Sequence, residues 1–79
     1  MITEADINRT RIARDTGIDQ PVISRIFNPD RPETPGSNTL RLVAESLSES
    51  MGREVTMEEV FNYLESIGKD FDFFRSKRA

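Results

Sequence analysis

The 79-residue sequence contains no cysteine and no histidine. Lack of cysteine excludes disulfide cross-links and thiol chemistry, and lack of both removes the usual zinc ligand sets. Long apolar runs are missing too. Nowhere do about eighteen apolar residues follow one another, and residues 1–6 carry acids with no apolar stretch, so neither a membrane span nor an export signal is expected. The glycines do not form a Walker or dinucleotide-binding motif. Glu45, Glu49, Glu58 and Glu59 are spaced as on a solvated helix face, and no histidine or cysteine stands by as base or nucleophile, so an enzyme is not expected. No cofactor or metal is expected either. One domain is expected, because a chain of this length buries only about 60% of the surface its unfolded form exposes.

Positive charge is also in short supply, with a net charge of -3 and a pI near 4.9. Affinity for nucleic acid comes largely from lysine and arginine on phosphates, so the total is unfavourable to a DNA binder. The distribution is less so. Residues 7–44 hold six arginines against four acids, residues 45–72 hold two bases against eight acids, and the tail from Phe73 is basic. A mildly basic front half can face DNA while the acidic back half points away.

Glycine and proline divide the chain into helices, and no stretch alternates apolar and polar residues as a strand would. Thr3 to Asp6 has the spacing of a weak capping arrangement. A helix carrying Ile12 and Ala13 ends near Thr16, where Gly17 accepts the left-handed conformation. Asp19 is placed to cap a second helix over 20–27, with Pro21 in its first turn and Ile23, Ile26 and Phe27 along one side. Pro29, Pro32, Pro35 and Gly36 make residues 28–36 a loop. A third helix follows a Ser37 or Asn38 cap, with Leu40, Val43, Ala44 and Leu47 at i, i+3, i+4 and i+7. Thr56-Met57-Glu58-Glu59 is a capping box opening a fourth helix with Met57, Val60, Phe61, Leu64 and Ile67 on one face, closed by Gly68.

Ala13, Gly17, Ile23 and Ile26 meet the packing needs of two helices crossing through a tight turn: a small residue, a glycine, and two apolar anchors. The segment RTRIARDTGIDQPVISRIFN thereby resembles the helix-turn-helix motif of the lambda-repressor-like, Cro and Xre type family. TLRLVAESL resembles the helix that follows it, and VTMEEVFNYL the short last helix. The resemblance implies an all-α domain of four to five short helices, its first helix shortened or missing because only about eight residues precede the motif. It also implies a recognition helix over about 20–27 that binds double-stranded DNA in the major groove.

Helix geometry puts Pro21, Arg25 and Asn28 opposite the apolar side, with Ser24 at the border. Gln20, Pro21, Ser24, Arg25 and Asn28 are the candidate base contacts; an amide such as Gln20 pairs with adenine, and Arg25 suits guanine or a phosphate. Val22 flanks the buried stripe, where it is either half-buried core or a contact to a thymine methyl. Arg9, Arg11, Arg14, Arg31 and Asn38 are candidate phosphate contacts, and a solvated helix face is the alternative for each arginine.

The domain is expected over 1–68, with an aromatic and then basic tail over 69–79. Phe71, Phe73 and Phe74, with Phe61 and Leu64, either complete the core or form a homodimer interface. The expected function is transcriptional regulation, as a repressor in the cytoplasm of a bacterial or phage-infected cell, with a shallow salt dependence of binding. The rival reading is a protein-binding module on the same scaffold, such as an antitoxin, anti-repressor or phage-encoded inhibitor.

Overall fold

A computed structural model describes residues 2–69. Among them the chain is all-α, with no strand. The helices are α1 (Arg9–Thr16), α2 (Gln20–Ile26), α3 (Ser37–Met51) and α4 (Met57–Ser66), preceded by one 3-10 turn (Glu4–Asp6). That turn stands where a first helix was expected to be short or missing. Thr3 and Asp6 do form a capping pair, the Thr3 backbone N–H donating to Asp6 Oδ2 over 2.8 Å, but they close this turn and not α1. The start of α1 is capped by Asn8, whose Oδ1 accepts from the Arg11 backbone N–H at 3.1 Å.

Gly17 ends α1 with φ 74°, and its N–H reaches Ala13 O. A Cβ there would meet nothing within 4 Å, so the backbone angle is what calls for glycine. The Thr16 hydroxyl ties the turn together, donating to Ile12 O at 2.7 Å and accepting from the Ile18 N–H at 3.2 Å. Asp19 holds the N-cap position of α2 but makes no side-chain cap bond, and Phe27 is the residue after the helix and not its last turn. Gly36 occupies the N-cap of α3, so Ser37 and Asn38 are its first helical residues; neither is the expected cap. Thr56 caps α4 as its spacing requires, accepting from Glu59 N at 3.1 Å. The Glu59 carboxylate takes two hydrogen bonds from Arg53, at 3.1 and 3.0 Å.

The core collects Ile12, Ile23, Ile26, Phe27, Val43, Ala44, Leu47, Val60 and Leu64, with Ile2 and Val55 sealing its edges. Helix α3 lies at the centre, against α1 on one side and α4 on the other. The backbone of α2 is approached closely by α1 alone among the helices, while Ile23 and Ile26 reach inward. The outer side of α2 is consequently uncovered by any other described helix.

Two polar clasps hold this arrangement. The buried Ser46 hydroxyl of α3 donates to Asp15 Oδ2 of α1 at 2.9 Å, and that bond, more than the neighbouring Arg11, holds the Asp15 carboxyl below the usual carboxylate range. An aspartate depressed in the folded state adds stability above its unfolded pKa of about 4 and loses it as pH falls through the lower folded value. The denaturant midpoint is therefore expected to fall as pH drops below about 4, and Ser46→Ala to flatten that fall. An unchanged slope in Ser46→Ala would remove Asp15 from the explanation.

The second clasp is Lys69. Its ammonium donates to the carbonyls of Arg25, Asn28 and Arg31 at 2.8, 2.9 and 2.8 Å, using all three N–H groups, and the residue is only 4% exposed. The folded unit thus reaches past the expected boundary at residue 68, because Gly68, at φ 101°, turns the chain back onto the proline loop. Burial pulls the Lys69 ammonium below the ordinary lysine range, a shift that Glu33 opposes and Arg31 reinforces. Phe71, Phe73 and Phe74 lie outside the described residues.

Candidate nucleic-acid interface

The turn between α1 and α2 spans only Gly17, Ile18 and Asp19, so the two helices meet as a tightly joined pair. With Ile23 and Ile26 buried, helical periodicity leaves the outer side of α2 to Pro21 and Arg25, both exposed, with Val22 exposed at the flank of the buried stripe and Ser24 half-buried. Gln20 opens the helix at its exposed end, and its amide nitrogen donates to the Thr10 hydroxyl of α1 at 3.2 Å. The bond orients the Gln20 side chain across the helix pair and leaves its carbonyl oxygen available to a base.

Four of the five expected base-contact residues, Gln20, Pro21, Ser24 and Arg25, therefore share one helix. Asn28 does not. It lies beyond the end of α2, and its side-chain oxygen accepts from the Asp30 N–H at 2.9 Å, an Asx-type turn that opens the proline loop. Val22, for which half-buried core was one reading, is 38% exposed and is the large apolar side chain that α2 presents outward. A β-branched residue next to a buried stripe cannot be placed from periodicity alone, since the border shifts with the crossing angle of the helices.

The expected phosphate-contact residues are spread over three elements. Arg9, Arg11 and Arg14 are on α1, Arg31 is in the loop after α2, and Asn38 is exposed in the first turn of α3. Arg11 and Arg14 both approach Asp15, at 3.3 and 3.9 Å. Arg25 and Arg31 both approach Glu33, at 4.0 and 3.9 Å. Arg9 and Arg41 have no carboxylate in salt-bridge range among the described residues. Exposed pairs of this kind contribute about 0–1 kcal/mol each, so a phosphate can take the place of the carboxylate.

No family model, curated protein or solved structure matches the chain. Leu64 is fully buried in the core, whereas Phe61 on the same helix is only partly buried. An open cleft of about 590 Å³ between the N-terminal turn and α4 is lined by Glu4, Ile7, Arg9, Phe27 and Tyr63 among others, with the Phe27 and Tyr63 rings tilted at 6.3 Å. Burial raises the Tyr63 phenol above its ordinary range. Among the described residues no group of acids is gathered to hold a metal ion, and no helix is long and apolar enough to cross a membrane.

Proposed function

We propose that the chain is a lambda-repressor-like helix-turn-helix protein that binds double-stranded DNA sequence-specifically and regulates transcription by occupying its site. The carrying observation is the outer side of α2, where Pro21, Val22 and Arg25 are exposed on a helix that only α1 approaches. A helix supported from one side, with apolar, hydroxyl, amide and guanidinium groups on the other, suits the major groove, whose edges present methyls, acceptors and donors. In this reading Gln20 reads a hydrogen-bonding edge, Arg25 reaches a guanine or a phosphate, Val22 touches a thymine methyl, and Arg9, Arg11, Arg14, Arg31 and Asn38 position the domain on phosphates.

One such module covers only about 600 to 1,000 Å² of DNA, which favours two copies on a palindrome. The dimer contact would involve Phe61 and the tail phenylalanines, and the site of action is the nucleoid of the cytoplasm. Selection from a random duplex library tests the reading. The expected outcome is a two-fold motif with half-sites about 10 base pairs apart and a thymine in each half-site. No enrichment over the input would count against DNA binding, and a single unrepeated half-site against the dimer.

The exposed acids Glu45, Glu49, Glu54 and Glu58 on and between α3 and α4 favour a second reading, a protein-binding module for a basic partner. The two readings put their contacts on different surfaces, so variants on α2 separate them.

A further inference from the structure

Among the described residues two carboxylates each sit between two arginines, and they differ in how they are held. Asp15 is fixed, because its Oδ2 also accepts from the buried Ser46 hydroxyl. Glu33 is not: its Oε2 lies 4.0 Å from Arg25 Nε and 3.9 Å from Arg31 Nε, and no hydrogen bond within range ends on it among the described residues. All three side chains are substantially exposed, at 46% for Arg25, 54% for Arg31 and 37% for Glu33. Exposed pairs at such distances hold weakly and exchange partners readily.

The main chain under the two arginines is pinned, although their side chains are exposed. Lys69 bonds the main-chain carbonyls of both Arg25 and Arg31, which fixes the last turn of α2 relative to the loop and adds a third positive charge beneath the pair. Guanidinium groups recognise carboxylate and phosphate oxygens by the same charge-assisted hydrogen bonds. Two arginines that rise from a pinned main chain beside the outer face of α2 and converge on one oxygen suit an oxyanion, and Glu33 supplies one from the chain itself.

We propose that Arg25 and Arg31 form a phosphate-binding fork at the end of α2, which Glu33 fills in the free protein and a DNA backbone phosphate fills in the complex. The inference rests on the reading of α2 as the DNA-contacting helix. Each binding event then exchanges an internal carboxylate for a phosphate, which lowers affinity for every duplex alike and leaves discrimination to the base contacts. In this role Arg25 grips the backbone and not a guanine.

The test is Glu33→Gln, with dissociation constants measured on a selected duplex and a scrambled one from 50 to 300 mM KCl. Glu33→Gln is expected to tighten binding to both duplexes about five- to tenfold at low salt. The plot of log affinity against log salt is expected to steepen by about 0.9, one phosphate's worth. The same charge change made on α4, Glu58→Gln, is expected to alter affinity less than twofold. Adding Arg25→Gln and Arg31→Gln to Glu33→Gln is expected to abolish the gain.

Equal gains in Glu33→Gln and Glu58→Gln, or a gain that survives loss of both arginines, would overturn the fork. If the wild type selects a site yet Glu33→Gln leaves affinity and slope unchanged, the fork is overturned and the DNA-binding reading stands. If neither protein binds any duplex, both fall. A melting temperature for Glu33→Gln within about 2 °C of wild type shows that folding is not the variable measured.

Discussion

Lys69→Met is expected to lower the melting temperature by about 15 °C. Methionine keeps the unbranched stem but donates nothing, so the carbonyls of Arg25, Asn28 and Arg31 lose a shared partner at once. Hydrogen bonds to a charged donor contribute about 1.5 to 3 kcal/mol each, and a buried acceptor left unpaired costs about 1 to 3 kcal/mol. Burying an ammonium has its own desolvation cost, which methionine avoids, so a net loss of about 3 kcal/mol is the reasonable expectation. For a domain of this size each kcal/mol moves the melting temperature by about 4 to 8 °C, and the whole fold is stable by about 4 to 12 kcal/mol. The loss is thus a large fraction of the total.

The damage should also be local before it is global. Amide exchange at Ile26, Phe27 and Asn28 is expected to quicken more than exchange in α1 or α3, because the clasp joins the end of α2 and the proline loop to the segment after α4. Lys69→Arg is expected to recover only part of the stability, since a planar fork cannot send three N–H groups to three converging carbonyls in the space of an ammonium. A shift below about 3 °C for Lys69→Met would show that water serves those carbonyls equally well.

Gln20→Ala combined with Arg25→Ala is expected to reduce affinity for the selected duplex at least a hundredfold while leaving the melting temperature nearly unchanged. Both residues are exposed, and neither contributes a side chain to the core. A good bidentate base contact is worth about 1 to 3 kcal/mol of discrimination, and a phosphate contact adds to affinity on any sequence. The single substitutions are expected to divide these effects. Gln20→Ala relaxes the base preference at one position and also frees the Thr10 hydroxyl, whereas Arg25→Ala weakens binding to all duplexes similarly. Retained affinity in the double variant, measured by mobility shift on folded protein, would place the DNA contact elsewhere; retained capture of a basic protein partner with no DNA binding in the wild type would favour the acidic face of α3 and α4.

The elements most legible in the sequence were those written in local chemistry. Gly17 and Gly68 each take positive φ beside a helix end, and Thr56 caps α4, because both signals act within a few residues of their own position. The apolar series from Val43 to Leu47 and from Val60 to Leu64 reads directly as the buried sides of α3 and α4. The buried and exposed sides of α2 were legible for the same reason, except at Val22, where the border depends on how α1 crosses.

What escaped was tertiary. Lys69 bonds carbonyls 38 to 44 residues away, and a carbonyl carries no residue-type signature, so a lysine after a closing glycine looks like the start of a tail. Asn8 was readable as a cap three residues before Arg11, yet Thr3 and Asp6 offered a competing start nearby. Asn28 continued the outward stripe of α2 only on the assumption that the helix went on; α2 ends two residues earlier, at Ile26, and the asparagine turns the loop instead. Leu64 shares the apolar stripe with Phe61, but only packing distinguishes the residue beneath the surface from the one at its edge.

The isolation of α2 has a consequence for how such a chain can change over time. Because α1 alone approaches its backbone, and Ile23 and Ile26 carry its anchoring, positions 21, 22, 24 and 25 can be rewritten without disturbing the residues that make the domain fold. Target choice and stability are then inherited almost separately. A lineage can acquire a new site by exchanging a few outward side chains, while the clasps at Asp15 and Lys69 pass unaltered from one specificity to the next.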